Sequence, residues 1–207
     1  MKVSHSNPVL IRRLFCALLL LAAPAALGQV KFDVGKPDFD DLQSPEVGGN
    51  TAKKSFSPKD WLEVEVKFNI SNAGRDAKFV DRVNIRWYVS VKNPEGSGYW
   101  LLEKSVTHTN VPVGEDLYAS VYLSPNGVKR LSGSERAGKS VVDYVGGEIE
   151  IGGTREVFVS KGSKSKPFWT VSSSNLSRTE KVPLLNKNET PFKFLWYDRY
   201  AEIDERD

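Results

Sequence analysis

From Trp61 to Ile70 every second position is apolar: Leu62, Val64, Val66, Phe68 and Ile70 alternate with Glu63, Glu65, Lys67 and Asn69. A period of two is the mark of a strand with one buried face. Val83 to Val91 repeats the pattern, with Val83, Ile85, Trp87, Val89 and Val91 against Asn84, Arg86, Tyr88 and Ser90. The turn-forming run Asn93 to Gly98 follows, so Tyr99 to Thr107 reads as the returning strand of a hairpin. Leu117 to Leu123 alternates again, setting Leu117, Ala119, Val121 and Leu123 against Tyr118, Ser120 and Tyr122. Ser124-Pro125 before Asn126 to Leu131 predicts a single capped helical turn, because Ser caps well and Pro suits the first helical position.

Ser140 to Val145, Glu148 to Ile151 and Thr154 to Ser160 are three more β segments, divided by the pairs Gly146-Gly147 and Gly152-Gly153. Each pair predicts a tight turn or a bulge. Phe168 to Ser172 is the last predicted strand, and Pro183, Asn186, Asn188 and Pro191 punctuate an irregular C-terminal stretch. Upstream, Val30 to Val34 is a short β run, and Gly35 to Asp60, with Pro37, Pro45, Gly48, Gly49 and Pro58, reads as a long loop. No segment of helix length carries a 3.6-residue period. The expectation is an all-β chain: an immunoglobulin-like antiparallel β-sandwich with a long N-terminal loop and an irregular C-terminal segment. Trp87 falls where such folds keep a core tryptophan, with Trp100 and Trp169 also expected inside. A transmembrane barrel also alternates, but the strand lengths vary and the acidic end Glu202 to Asp207 does not resemble a closing barrel strand.

The N-terminus changes the picture of where the chain works. Lys2, Arg12 and Arg13 precede the apolar run Leu14 to Ala23 and the small-residue stretch Ala25 to Gly28, the order of a secretory signal peptide. Ten apolar residues are too few to span a bilayer, which takes about 20. The expected division is a signal peptide over 1–28, an N-terminal strand and linker over 29–60, the sandwich over 61–195, and an aromatic and acidic tail over 196–207. No membrane span is expected after signal removal. Taking the signal's three basic residues from the chain's 29 Lys and Arg leaves 26, against 26 Asp and Glu. A chain with no net charge gives no ground for a nucleic-acid partner. The one cysteine, Cys16, lies in the signal, so the mature protein must hold itself without disulfides.

Candidate chemistry is sparse. His108 is the one histidine outside the signal; with no cysteine and no Gly-x-Ser-x-Gly motif beside it, it reads as a structural residue. One His and no Cys do not make a zinc site of usual ligand type. Asp33, Asp38, Asp40, Asp41 and Glu46 could offer oxygen ligands to Ca²⁺, but their spacing is not that of an EF-hand and a solvated acidic linker is the simpler reading. Lys161, Lys164 and Lys166 mark a basic loop. No catalytic residue, metal or cofactor is expected. Aromatic residues offer more: Trp61, on the polar side of its strand, and the cluster Phe192, Phe194, Trp196, Tyr197 and Tyr200 are the candidate interaction surface.

The signal peptide, the stretch WLEVEVKFNISNAGRDAKFVDRVNIRWYVSVKNPEGSGYWLLEKSV, the paired glycines and the ending NETPFKFLWYDRYAEI together resemble the pilus-like secreted β-sandwich proteins of gut Verrucomicrobia, the Akkermansia type. The resemblance implies an immunoglobulin-like fold, an extracellular or surface location, and a part in pilus-associated assembly, adhesion or host contact. It carries over no catalytic residue. One departure stands out: a type IV pilin keeps its apolar helix after cleavage, whereas here the apolar run lies before the expected cut. The first expectation is therefore a non-enzymatic interaction protein that meets other surface or pilus-associated proteins, copies of itself, or a host protein or glycan. A carbohydrate-binding module using the exposed aromatics is the alternative, and a small hydrolase with two carboxylates is a third.

Overall fold

The structure is a computed structural model and describes residues 30–46, 57–134 and 138–206; the expected signal peptide and its cleavage site lie outside the described residues. Strands β1 (Lys31–Val34), β2 (Asp38–Gln43), β3 (Asp60–Asn72), β4 (Phe79–Val80), β5 (Val83–Lys92), β6 (Tyr99–His108), β7 (Val111–Pro112) and β8 (Asp116–Leu123) precede one helix, α1 (Pro125–Ser132). Strands β9 (Val142–Ile151), β10 (Thr154–Val159), β11 (Leu176–Arg178) and β12 (Leu185–Asn186) follow. The first sheet runs β1-β3-β8-β12, with β2 also paired to β3; the second runs β10-β9-β5-β6-β11. All these pairs are antiparallel except β11 with β6. This is the expected immunoglobulin-like sandwich.

The alternating residues decide which face turns inward. Leu62, Val64, Val66, Phe68 and Ile70 of β3 meet Val83, Ile85, Trp87, Val89 and Val91 of β5 in one core, all of them buried. Trp87 is wholly buried, edge-on to Phe158 with ring centres 5.2 Å apart. A ring of that size contributes a few kcal/mol by leaving water, on the order of 3. The helix closes one end of the core with Val128 and Leu131. Ser124 Oγ accepts from the Gly127 amide at 3.1 Å, and Gly133, at φ 72, ends the helix by donating to Lys129 O.

Four expectations need correction. Gly146-Gly147 is not a turn: both residues lie inside the continuous strand β9, opposite Tyr88 and Trp87 of β5. Their lack of Cβ is what matters, since a Cβ on Gly147 would overlap the Phe158 ring and one on Gly146 the Trp169 ring. Gly152-Gly153 does form the tight turn, with φ of 55 and 84. Phe168 to Ser172 is no strand but a 3₁₀ turn over Phe168–Thr170, because the Thr170 hydroxyl bonds back to Pro167 O at 2.8 Å and curls the chain. Residues 35–60 contain β2, which pairs with β3 through Phe39 and Leu42; its sequence DFDDLQ has only those two apolar positions, too few to show a period. The sandwich is also wider than residues 61–195, since β1, β2 and main-chain bridges at Tyr200 and Ile203 belong to it.

Candidate functional site

The outward side of the first sheet carries Glu63 and Glu65 on β3 opposite Tyr122 and Ser120 on β8. On an open sheet such residues face water. Here residues 185–203 lie across them. The segment enters through β12, which pairs with β8, and then makes two successive 3₁₀ turns, Lys187–Glu189 and Pro191–Phe194. Asn186 and Glu189 form a reciprocal cap on the first, and the Thr190 hydroxyl caps the second. These caps aim Phe192 inward, where it is wholly buried between Trp61 (5.7 Å, edge-on) and Tyr122 (5.3 Å, stacked).

Around that ring runs a polar network. Tyr122 donates to Glu63 at 2.6 Å, the Tyr200 hydroxyl lies within hydrogen-bond distance of both Glu63 and Glu65 with its one proton nearer Glu65, and Arg199 pairs with Glu65 at 2.6 Å. Burial raises the Glu65 carboxyl above its usual range, against the opposing pull of Tyr200 and Arg199. Burial, together with the neighbouring glutamates, pushes the Tyr122 and Tyr200 hydroxyls up, so both remain protonated donors. Lys187 is nearly buried; its ammonium donates to the carbonyls of Leu195 and Lys193 and lies 4.9 Å from the Tyr200 ring centre. Burial lowers its pKa.

The chain then ties both sheets together. Tyr118 N donates to Arg199 O and Ala201 N to Tyr118 O on the first sheet; Thr109 N donates to Glu202 O and Asp204 N to Thr107 O beside the second. His108, buried at the end of β6, meets Ala201 O through Nδ1 at 3.1 Å, while its Nε2 has no hydrogen-bond partner among the described residues. Desolvation pushes its pKa down to about 4. That contact requires a proton on Nδ1, and desolvation keeps the ring neutral at pH 7, which assigns the Nδ1–H tautomer.

The six candidate residues therefore divide. Trp61 is half-buried, with Nε1 donating to Ser44 Oγ at 3.1 Å; Phe192 is buried and Tyr200 half-buried. Phe192 and Tyr200 belong to the roof over the first sheet, and Trp61, on β3, lies under it, so none of the three is part of an exposed surface. Phe194, Trp196 and Tyr197 are the exposed ones, at 78%, 52% and 71%. They form an outward knuckle in which Trp196 holds a left-handed φ of 51 and Arg199 N closes the turn on Trp196 O. A hollow of about 870 Å³ borders it, lined by Tyr197, Tyr200, Lys187, Lys193, Asn110 and Asn188 among others.

Sequence reasoning missed Glu63, Glu65, Tyr122, Lys187 and Arg199. The available signal was the supposed polar face of β8, where two of three residues are tyrosines. The acidic candidates do not converge: Asp40 pairs with Lys139 at 3.1 Å, Asp41 accepts from the Lys139 backbone, and among the described residues no three acidic, His or Cys side chains gather as a metal site. Lys161 pairs with Asp143. No described helix is long and apolar enough to cross a membrane.

The fold and the roofed first sheet define an immunoglobulin-like β-sandwich whose C-terminal segment is an integral part of the sheet it covers. A protein-family model matches residues 23–207. A crystal structure of a protein from Akkermansia muciniphila superposes with a TM-score of 0.80 at 37% identity, covering 86% of this chain and 95% of that one. No curated protein matches the chain. The chain belongs to the family its sequence resembles, that of the Akkermansia-type β-sandwich proteins.

Proposed function

We propose that this protein is a non-enzymatic, pilus-associated protein of the cell surface or extracellular space, and that it contacts other protein copies through the knuckle Phe194-Trp196-Tyr197. The observation that carries this is the exposure of three large aromatics within four residues on a turn whose flanks are fixed by Phe192 and Tyr200. Exposed aromatic clusters on rigid supports are where protein contacts concentrate their energy. Family membership supports the pilus-associated setting, and the signal-like N-terminus supports export. The test is light scattering on residues 29–207, which contain every described element, across a concentration series with and without neutral glycans. Mass that grows with concentration fits the proposal. A constant monomer that gains mass only with glycan contradicts it and favours a carbohydrate-binding module built on the same aromatics.

A further inference from the structure

The outer side of the second sheet is finished differently. The 3₁₀ turn at Phe168–Thr170 lays the Trp169 ring flat on Tyr88, 4.5 Å between centres and 8° between planes, over the gap left by Gly146. Beside this stack opens a hollow of about 670 Å³ lined by Arg86, Arg155, Arg178, Glu148 and the loop 170–174. That volume suits a small oligosaccharide or a peptide of a few residues.

The three guanidinium groups are not equivalent. Arg155 is shared between Glu148 at 3.3 Å and Glu150 at 3.5 Å. Arg178 pairs with Glu103 and also donates to Trp169 O. Both are held in place by carboxylates. Arg86 is exposed and bonds the Tyr88 hydroxyl; Glu148 and Glu103 lie near enough to add to its field, but among the described residues none of the ion pairs is made by Arg86. Across the hollow, residues Val171 to Ser174 are all exposed; their four backbone N–H groups and the hydroxyls of Ser172 and Ser174 have no protein partner among the described residues. An exposed guanidinium that holds only a phenol hydroxyl, on the same hollow as a loop of N–H and O–H donors without protein partners, is an arrangement that accepts an oxyanion, through the planar fork that matches carboxylate and sulfate.

We infer that this hollow binds an acidic oligosaccharide, with Arg86 and the 171–174 loop gripping a carboxylate or sulfate and Glu148 and Arg155 facing the sugar hydroxyls. A glycan fits better than an acidic peptide because the lining is mostly polar, with Val171 its one exposed large apolar side chain. The site lies on the opposite sheet from the aromatic knuckle and is independent of the protein-contact reading.

The test is calorimetric titration of residues 29–207 with a heparin tetrasaccharide, a hyaluronan tetrasaccharide bearing carboxylates alone, neutral cellotetraose and a glutamate hexapeptide. Binding of one or both acidic sugars, with none of cellotetraose, is expected; the better of the two identifies sulfate or carboxylate as the recognised group. Arg86→Ala should weaken it about tenfold or more, the usual loss for a charge-assisted contact, and Arg86→Lys should fall between, with unchanged melting temperatures. The double substitution Lys164→Ala/Lys166→Ala, in the neighbouring exposed basic loop, should leave affinity unchanged. The inference is overturned by no binding of either acidic sugar, by tighter binding of the peptide, by an unaffected Arg86→Ala, or by loss of binding on removing the two lysines.

Discussion

On the first sheet the outward row of Glu63, Glu65, Tyr118 and Tyr122 is sealed under residues 185–203, which fill it with Phe192 and answer its carboxylates with Tyr200 and Arg199. On the second sheet the outward row of Arg86, Tyr88 and Glu148 is met by Trp169 alone, which stacks on Tyr88 and donates from Nε1 to Glu148, while Arg86 stays exposed beside a hollow. Both rows come from strands with the same alternation. The difference lies in what the chain does afterwards: a long return with two capped turns makes a roof, and a single 3₁₀ turn makes an awning over a hollow. The covered face carries exposed aromatics in the same segment that makes the roof, Phe194, Trp196 and Tyr197, whereas the open face leaves Arg86 and the 171–174 loop exposed around a hollow.

Breaking the roof should cost most. Phe192→Ala removes a wholly buried ring at the junction of Trp61 and Tyr122 and is expected to destabilise by about 4 kcal/mol in urea denaturation. Trp169→Ala, at the thinner cover, should cost less, and should leave the denaturation cooperative. Equal losses would mean the second sheet depends on its cover as much as the first.

Acid should loosen the same tail through His108. Its pKa is about 4 in the folded chain and about 6.5 in an unfolded one, so below pH 6.5 the unfolded state binds the extra proton. The stability present above pH 6.5 is lost progressively as pH falls toward 4, on the order of 3 kcal/mol at the lower end. Denaturation midpoints between pH 7 and pH 4 should show this slope, and His108→Gln, which keeps a donor for Ala201 but does not titrate, should flatten it. Tyr200→Phe keeps the ring and removes the hydroxyl shared by Glu63 and Glu65; a loss of about 1 to 2 kcal/mol is expected. A neutral result there would show that the glutamates are satisfied by Tyr122 and Arg199 alone.

The core was legible in the sequence because burial on one side imposes a strict period of two, and every residue of the two long alternating runs that was expected inside is inside. Trp87 and the helical turn after Ser124 were equally plain. What alternation cannot report is the fate of the other side. Tyr122 counted as outward and polar, yet it is wholly buried, since its cover comes from Phe192 seventy residues on. Trp61 and Phe192 looked like surface aromatics for the same reason. Within the candidate cluster, Phe194, Trp196 and Tyr197 emerged as exposed while their neighbours turned inward, a division set by the Thr190 cap and the left-handed Trp196, neither of which leaves a periodic mark. Gly146 and Gly147 misled in another way: glycine pairs signal turns, but these serve the close approach of two aromatic rings.

The knuckle is the central claim, and its removal should separate contact from stability. In Phe194→Ser/Trp196→Ser/Tyr197→Ser the folding free energy should stay within about 0.5 kcal/mol per site, as for exposed positions generally. Sedimentation velocity on residues 29–207 then compares this variant with the parent chain and with Arg86→Ala at matched concentrations. The account predicts concentration-dependent association in the parent and in Arg86→Ala, and a monomer throughout for the triple variant. Association that survives loss of the three aromatics, or a parent chain that never associates, would contradict it.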